Sequence, residues 1–386
     1  MGLPIQFSEW TSSVHHPSPH RSSGGDSPDQ ASDLRIEPLQ GWTLPLLQSA
    51  AFVDLQPLLQ QSLLLKQPER LLNALVSRPP LAPDILLAYL NPQKILGLVV
   101  VRRLNRSGSC WGIEQLRVCE HALEEPGNPS ERQVEAALLK EALHRRLGAT
   151  SWMASAGTCQ LDRLALLREL GFQPLRQQTL WTWLPARLPA GADGLPADLQ
   201  LSSLNRRTAP LLWHLEQAAC PAQLRQLLDR RCEDLLDQTQ GTGLLWVDPT
   251  RQQAVAGVRR LRRHGQAPLE LEVTLHPGWA HLLGAPLARM LAQVAAGAHQ
   301  VQLRSDTNDS DRGRWLQGLG AVADGEELLM GRSVWRRQEH LERTTASRWR
   351  FDTVLEPFKP RRRPVPTPLL PNHGMPQESA VLSSSR

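Results

Sequence analysis

The sequence predicts an α/β protein in which one domain type is present twice, each copy a mixed, mostly antiparallel sheet flanked by helices. Three observations predict it. The chain says nearly the same thing twice: Ile95-Leu-Gly97-Leu-Val-Val-Val101-Arg-Arg returns as Ala254-Val-Ala-Gly257-Val-Arg-Arg-Leu261, and Leu170-Gly171-Phe172 returns as Leu319-Gly320-Ala321. The paired glycines stand about 160 and about 149 residues apart, a domain-sized period rather than that of a solenoid. Within each copy the apolar pattern alternates between strand and helix periods in one order: strand, helix, helix, three strands, helix, strand, helix, strand.

Residues 1–32 (His15-His-Pro-Ser-Pro-His-Arg-Ser-Ser-Gly-Gly-Asp) are polar and rich in Pro and Gly. They bury too little to offset chain entropy and read as disordered. The first unit spans 33–187. Leu34-Arg-Ile-Glu-Pro-Leu39 alternates as an opening strand, and residues 44–66 and Pro68–Leu75 read as two apolar-faced helices, the second entered through Pro68. Asp84–Leu90 and Lys94–Arg103 form a hairpin across Asn91-Pro92, followed by a strand through Trp111–Val118. A helix over Glu131–Leu147, a short strand, a helix ending at Leu170-Gly171 and a strand through Trp181 and Trp183 complete the unit.

Residues 188–197 (Leu188-Pro-Ala-Gly-Ala-Asp-Gly-Leu-Pro196) are a linker. The second unit, 198–338, opens on the strand Leu199–Leu204 and two helices, Ala209–Ala218 and Pro221–Leu236. The strands Gly243–Asp248, through Gly257, and Leu269–Leu275 follow. A helix, the strand Gln300–Arg304, a helix closing on Leu319-Gly320 and a strand over Leu328–Trp335 end it. Residues 339–386 are Arg- and Pro-rich (Lys359-Pro-Arg-Arg-Arg-Pro-Val-Pro) and read as an extended, disordered tail.

Composition narrows the class. At 386 residues with 41% hydrophobic and 21% charged, the chain can bury two cores. No apolar run reaches the length of a spanning helix, and the N-terminus lacks a basic flank before an apolar core, so neither membrane insertion nor secretion is expected. Cys110, Cys119, Cys159, Cys220 and Cys232 show no metal spacing. They read as thiols of a reducing compartment, the cytoplasm, and no metal is expected. From residue 331 onward eleven Lys and Arg face five Asp and Glu, so the net +5 belongs to the tail. Arg348-Trp-Arg350 and Arg361–Arg363 are candidates for contact with an acidic protein or nucleic acid. Arg102-Arg-Leu-Asn-Arg106 and Arg259-Arg-Leu-Arg-Arg-His264 read as solvated rims of hairpins.

The run Leu271-Glu-Val-Thr-Leu275-His-Pro277-Gly-Trp-Ala-His-Leu-Leu-Gly284-Ala-Pro-Leu-Ala-Arg-Met-Leu291, taken with the element order, resembles the GCN5-related N-acetyltransferases. In that family a strand ends in a Val-x-Pro step, then a pyrophosphate loop and a helix follow. The resemblance covers both units and implies acetyl-CoA, or another acyl-CoA, as co-substrate. It places cofactor contacts at Leu275, His276, Ala280, His281, Leu282, Leu283, Gly284, Ala285 and Asn308. A helix start offers free amides and the positive end of a dipole to a diphosphate. The family's loop is Arg/Gln-x-x-Gly-x-Gly/Ala. Here Ala280 stands in place of the Arg or Gln, Leu283 in place of the first glycine, and Ala285 fits the last small position. In the first unit the matching window puts Glu135 at a phosphate-facing position, with Glu120, Glu124, Glu125 and Glu131 nearby, so that unit is expected not to bind acyl-CoA.

Acetyl transfer to an amine needs a base for the ammonium proton and an acid for the departing thiolate. The resemblance makes Glu272 the tentative base, with Glu270 and, in the first unit, Glu114 as further candidates. The family's usual acid is a Tyr, and its positions hold Leu167 and Leu316; the one tyrosine, Tyr89, lies on an early strand. Two readings stand: an acyl-CoA-dependent N-acyltransferase acting on an unknown amine through its C-terminal unit, or a catalytically silent tandem that binds a partner or senses acyl-CoA. The short linker allows the two units to pack as an intramolecular pseudo-dimer.

Overall fold

The computed structural model describes residues 34–334, apart from short stretches at 50, 76–81, 92–93, 125–126, 147, 186–195, 197 and 262–267. The N-terminal 1–32 and tail 339–386 readings fall outside the described residues. The first half runs β1 (Arg35–Pro38), 3-10 turns at Gly41–Leu47 and Val53–Leu55, α1 (Gln56–Leu75), β2 (Asp84–Asn91), β3 (Lys94–Arg103), β4 (Cys110–Val118), α2 (Glu120–Leu123), α3 (Glu131–Arg145), β5 (Ser151–Gly157), α4 (Leu161–Glu169) and β6 (Gln173–Trp183). The second runs β7 (Gln200–Ser203), α5 (Ala209–Ala219), α6 (Ala222–Leu228), α7 (Cys232–Gln238), β8 (Thr239–Asp248), β9 (Gln253–Leu261) and β10 (Leu269–Leu275). A 3-10 turn (Pro277–Leu282), α8 (Ala285–Ala295), β11 (Val301–Asp306), α9 (Ser310–Gly318) and β12 (Val322–Ser333) end it.

The repeated element order is therefore present, with two local differences. Where two helices were expected over 44–75, 3-10 turns lead into one helix that runs through Pro68. The single helix expected over 221–236 is broken at Asp229, whose left-handed backbone (φ 43°) ends α6. Gly171 and Gly320 hold the left-handed conformation (φ 86° and 79°) just past α4 and α9, which explains the repeated Leu-Gly step.

All twelve strands join one mixed sheet in the order β1-β2-β3-β4-β5-β12-β6-β11-β10-β9-β8-β7. The two terminal strands are exchanged. Among the described residues β12 pairs only with β5 and β6, and β6 only with β11 and β12, so neither closes the half that precedes it in sequence. The side chains follow. Trp181 and Trp183 of β6 lie in the core of the second half with Leu271, Leu287 and Leu303, whereas Met330 of β12 lies in the core of the first with Leu138 and Trp152. The division between the two halves of the sheet thus does not follow the order of the chain.

Gly97 marks the repeat because α3 and β4 crowd it. A Cβ there would lie 2.7 Å from the Arg117 carbonyl oxygen and 3.3 Å from Val134 Cγ1. At Gly257 the nearest atoms are side-chain tips, Leu245 Cδ2 at 2.9 Å and Leu212 Cδ1 at 3.0 Å, which can turn away. Gly97→Ala is expected to cost about 1–3 kcal/mol by overpacking, and Gly257→Ala clearly less. Urea midpoints of the two variants check the order; equal midpoints refute it.

Candidate functional site

The sheet opens once in each half. β10 and β11 run parallel but pair only at Leu269/Val301 and Glu270/Gln302, after which both strands continue apart. β4 and β5 pair from Cys110/Ser151 to Ile113/Ala154 and then diverge. A cleft of about 570 Å³ lies at the opening in the second half, and one of about 430 Å³ at that in the first. The second-half cleft has walls from both halves of the chain: Leu104, Met153 and Ser155 of the first face Leu224, Leu228 and Val273 of the second.

Behind the opening the two halves differ in how the helix starts. α3 carries a closed capping box. Ser130 Oγ accepts from the Gln133 amide at 3.3 Å, and Gln133 Oε1 accepts from the Ser130 amide at 2.8 Å. The box engages the Ser130 and Gln133 amides. α8 starts at Gly284 with no side-chain cap, although Pro286 in its first turn removes one donor. Gly284 is extended, and a Cβ there would meet nothing nearer than Pro286 Cδ at 3.9 Å.

The expected contact residues divide. Leu275, His276, Ala280 and Leu283 line the cleft. His276 Nδ1 accepts from the Gly278 amide at 3.1 Å and so shapes the turn. Gly284 and Ala285 form the uncapped helix start. One position is corrected. Leu282, 1% exposed, packs into the core and is unavailable to a ligand. His281 is exposed and is not among the residues that line the cleft, its ring 5.2 Å from that of Trp279. Asn308 is exposed, next to Asp309, which caps α9 by accepting from the Arg312 amide at 3.1 Å. Glu135 is corrected too: α3 begins four residues before it, so it lies a turn inside the helix, 5% exposed and paired with Arg163 of α4. Leu167 and Leu316, each 2% exposed, are core residues. Tyr89, its hydroxyl pushed up to about 12 by burial, lies on β2 among Leu47, Phe52 and Leu59.

The carboxylates on β10 face the cleft. Glu270 meets Arg304 of β11, which also holds Glu327 of β12 at 2.6 Å. Glu272 meets Arg259 of β9. Arg259 is corrected from a solvated rim to a residue 2% exposed, and it reaches Glu216 of α5 at 3.4 Å and the Leu235 carbonyl at 3.2 Å. Arg260 is also engaged, donating to the Val294 and Ala296 carbonyls that end α8. Glu114 of the first half is paired with Arg102 at 2.6 Å.

Arg230 completes a quartet, its Nη1 3.7 Å from Glu216 Oε2. The left-handed turn at Asp229 brings it inward, and Trp213 Nε1 holds its carbonyl at 3.0 Å. First-half groups brace this turn: Asn105 Nδ2 donates to the Leu228 carbonyl at 3.0 Å, and the Arg106 amide to Asp234 at 2.6 Å. Burial first, then the charge of Glu272, pushes the Glu216 carboxyl above its ordinary value against the pull of Arg230 and Arg259. Burial would raise Glu272 as well, but Arg259 and Arg230 outweigh it and hold that carboxyl below its ordinary range.

A mixed sheet with this element order in each half has a counterpart among solved structures. A GCN5-related N-acetyltransferase from Sphaerobacter thermophilus superposes with a TM-score of 0.50 at 13% identity, over 78% of this chain and 96% of that one. This chain has the GCN5-related N-acetyltransferase fold, in tandem. A tandem protein of that fold from the clavulanic acid biosynthesis pathway superposes with a TM-score of 0.49 at 16% identity, over 79% of this chain and all of that one. No family model and no curated protein matches the sequence. Among the described residues no helix is long and apolar enough to cross a membrane. Within the acetyltransferase fold, the residues missed by sequence were Glu216, Arg230 and Arg259. Glu216 had a signal: it sits on the apolar stripe Leu212, Leu215, Ala219 of α5.

Proposed function

We propose that the second-half cleft binds an acyl-CoA and transfers its acyl group to an amine. The observation that carries this is the uncapped start of α8 beside the β10–β11 opening, set against the capped start of α3 in the other half. The Ala285 and Leu287 amides and the α8 dipole suit a diphosphate. The pantetheine arm would run along the β10 edge, where Arg312 Nη1 now donates to the Val273 carbonyl at 3.2 Å. It has room when Arg312 swings toward Asp309, which already lies 3.3 Å from its Nε. The amine nitrogen, once deprotonated, attacks the thioester carbonyl; the C–N bond forms, the C–S bond breaks, and the thiolate takes a proton from solvent. No tyrosine stands at Leu316 to supply that proton, and a thiolate is a tolerable leaving group without one.

Titration calorimetry of the full chain with acetyl-CoA tests the reading. The wild type is expected to bind, Gly284→Ala to bind about as well, and Gly284→Glu to lose binding, since its carboxylate would face the diphosphate. The open Cβ position means that Gly284→Glu should keep its thermal midpoint. No heat from the wild type would refute the proposal. The missing tyrosine favours a second reading, a silent acyl-CoA sensor, which predicts binding without thiol release in the presence of any amine.

A further inference from the structure

Two carboxylates face the cleft from the quartet, and they are not equivalent. Glu272 is in direct contact with Arg259, an ion pair that stabilises its ionised form and lowers its basicity. Glu216 stands farther from Arg259 than Glu272 does, at 3.4 Å, and lies 3.7 Å from Arg230, with its side chain 13% exposed. It also lines the cleft beside an apolar wall. Ala219 and Cys220, one turn along α5, line the same wall as Leu224 and Leu228, and Met153 of the first half faces them. An amine whose apolar body rests on that wall brings its nitrogen to Glu216, between the wall and the β10–β11 opening.

We propose that Glu216, rather than Glu272, accepts the proton released by the attacking amine, an inference that rests on the acyltransferase reading above. The groups facing Glu216 are Glu272 from β10, Arg259 from β9, Arg230 from the α6–α7 turn and Cys220 from its own helix. Burial and the Glu272 charge raise its carboxyl, bringing it nearer to the range in which a general base works best. Glu272 then acts at one remove, because its fixed negative charge keeps Arg259 in place and Glu216 basic. The ammonium proton passes to Glu216 Oε and on to solvent, the neutral amine attacks, and Glu216 takes the second nitrogen proton as the C–S bond breaks and the thiolate is protonated from solvent.

The test follows thiol release from acetyl-CoA by the full chain against pH, with a panel of primary amines that includes phenethylamine, spermidine and lysine amide. Glu216→Gln is expected to lower kcat about 10²–10⁴-fold with acetyl-CoA affinity unchanged, and Glu216→Asp to recover part of it. Glu272→Gln is expected to lower kcat less than Glu216→Gln does and to move the acid limb to lower pH, because Glu216 loses a neighbouring negative charge. Unchanged kcat in Glu216→Gln, or a loss confined to Glu272→Gln, overturns the proposal while leaving the acyltransferase reading intact. If no amine in the panel reacts, carboxyl ¹³C NMR of the acetyl-CoA-bound chain decides. The resonance missing from Glu216→Gln should titrate above the one missing from Glu272→Gln, and the reverse order overturns the assignment. Failure of acetyl-CoA to bind at all sinks the underlying reading, and this proposal with it.

Discussion

Trp183→Ala is expected to cost about 3–5 kcal/mol, the range for deleting a fully buried large aromatic side chain. Trp183 is 0% exposed, and its Nε1 donates to the Leu319 carbonyl at 3.2 Å, so the variant leaves both a void and an orphaned acceptor. The consequence extends past the residue's own half. Trp183 follows the first-half chain but fills the second-half core, opposite Val301 of β11. The loss should therefore loosen β11, whose Arg304 and Asp306 line the cleft, and weaken acetyl-CoA binding along with stability. Urea unfolding of the full chain, with exposed Trp42 (55%) as the control substitution, measures it. An unchanged midpoint, or a loss matched by Trp42→Ala, would show that β6 does not knit the halves together.

The strand exchange explains what the sequence could and could not tell. Alternation in Trp181-Thr-Trp183 marks two inward positions, because strand period is a local property. Which sheet receives them is a pairing choice between distant segments. Both copies end in the same kind of strand, and nothing local distinguishes pairing within a half from pairing across. The repeated glycines were legible for the opposite reason. Gly171 and Gly320 meet a local demand, a left-handed turn, and Gly97 and Gly257 mark strand positions that α3 and α5 approach closely.

At the site, legibility followed the same division. The strand, turn and helix start from Leu275 to Ala285 could be read as a unit because they are contiguous and a helix start is a local event. Glu135 was misplaced by counting along a motif, although Ser130-x-x-Gln133 already spells a capping box that starts the helix earlier. Asn308 and Asp309 are adjacent and both suited to capping, and only the geometry chooses Asp309. The quartet was invisible because it is assembled from α5, the α6–α7 turn, β9 and β10. Arg259 in particular lies in a basic run beside Arg260, which reaches a helix end, so composition argued for a rim.

That quartet sets the second large effect. Arg259→Leu is expected to cost about 3–5 kcal/mol near neutral pH, because it leaves Glu216 and Glu272 facing each other with Arg230 alone to balance them. The sign with pH follows from the shifts. In the wild type Glu272 is held below its unfolded value, so it stabilises the fold above that value and loses this as pH falls through its folded one. Glu216 is raised, so its contribution is present at low pH and is lost as pH rises through its folded value. Removing Arg259 turns Glu272 into a second group of the raised kind, since burial and repulsion then act unopposed by their nearest cation. The stability deficit of Arg259→Leu should therefore shrink on moving from pH 8 to pH 5. Adding Glu272→Gln should recover most of it, for the pair is then replaced by neutral groups rather than broken. Thermal midpoints of the wild type, the single variants and the double variant at both pH values decide the matter. A deficit independent of pH, or one that simply adds in the double variant, would mean that Arg259 is held by packing and not by the two carboxylates it bridges.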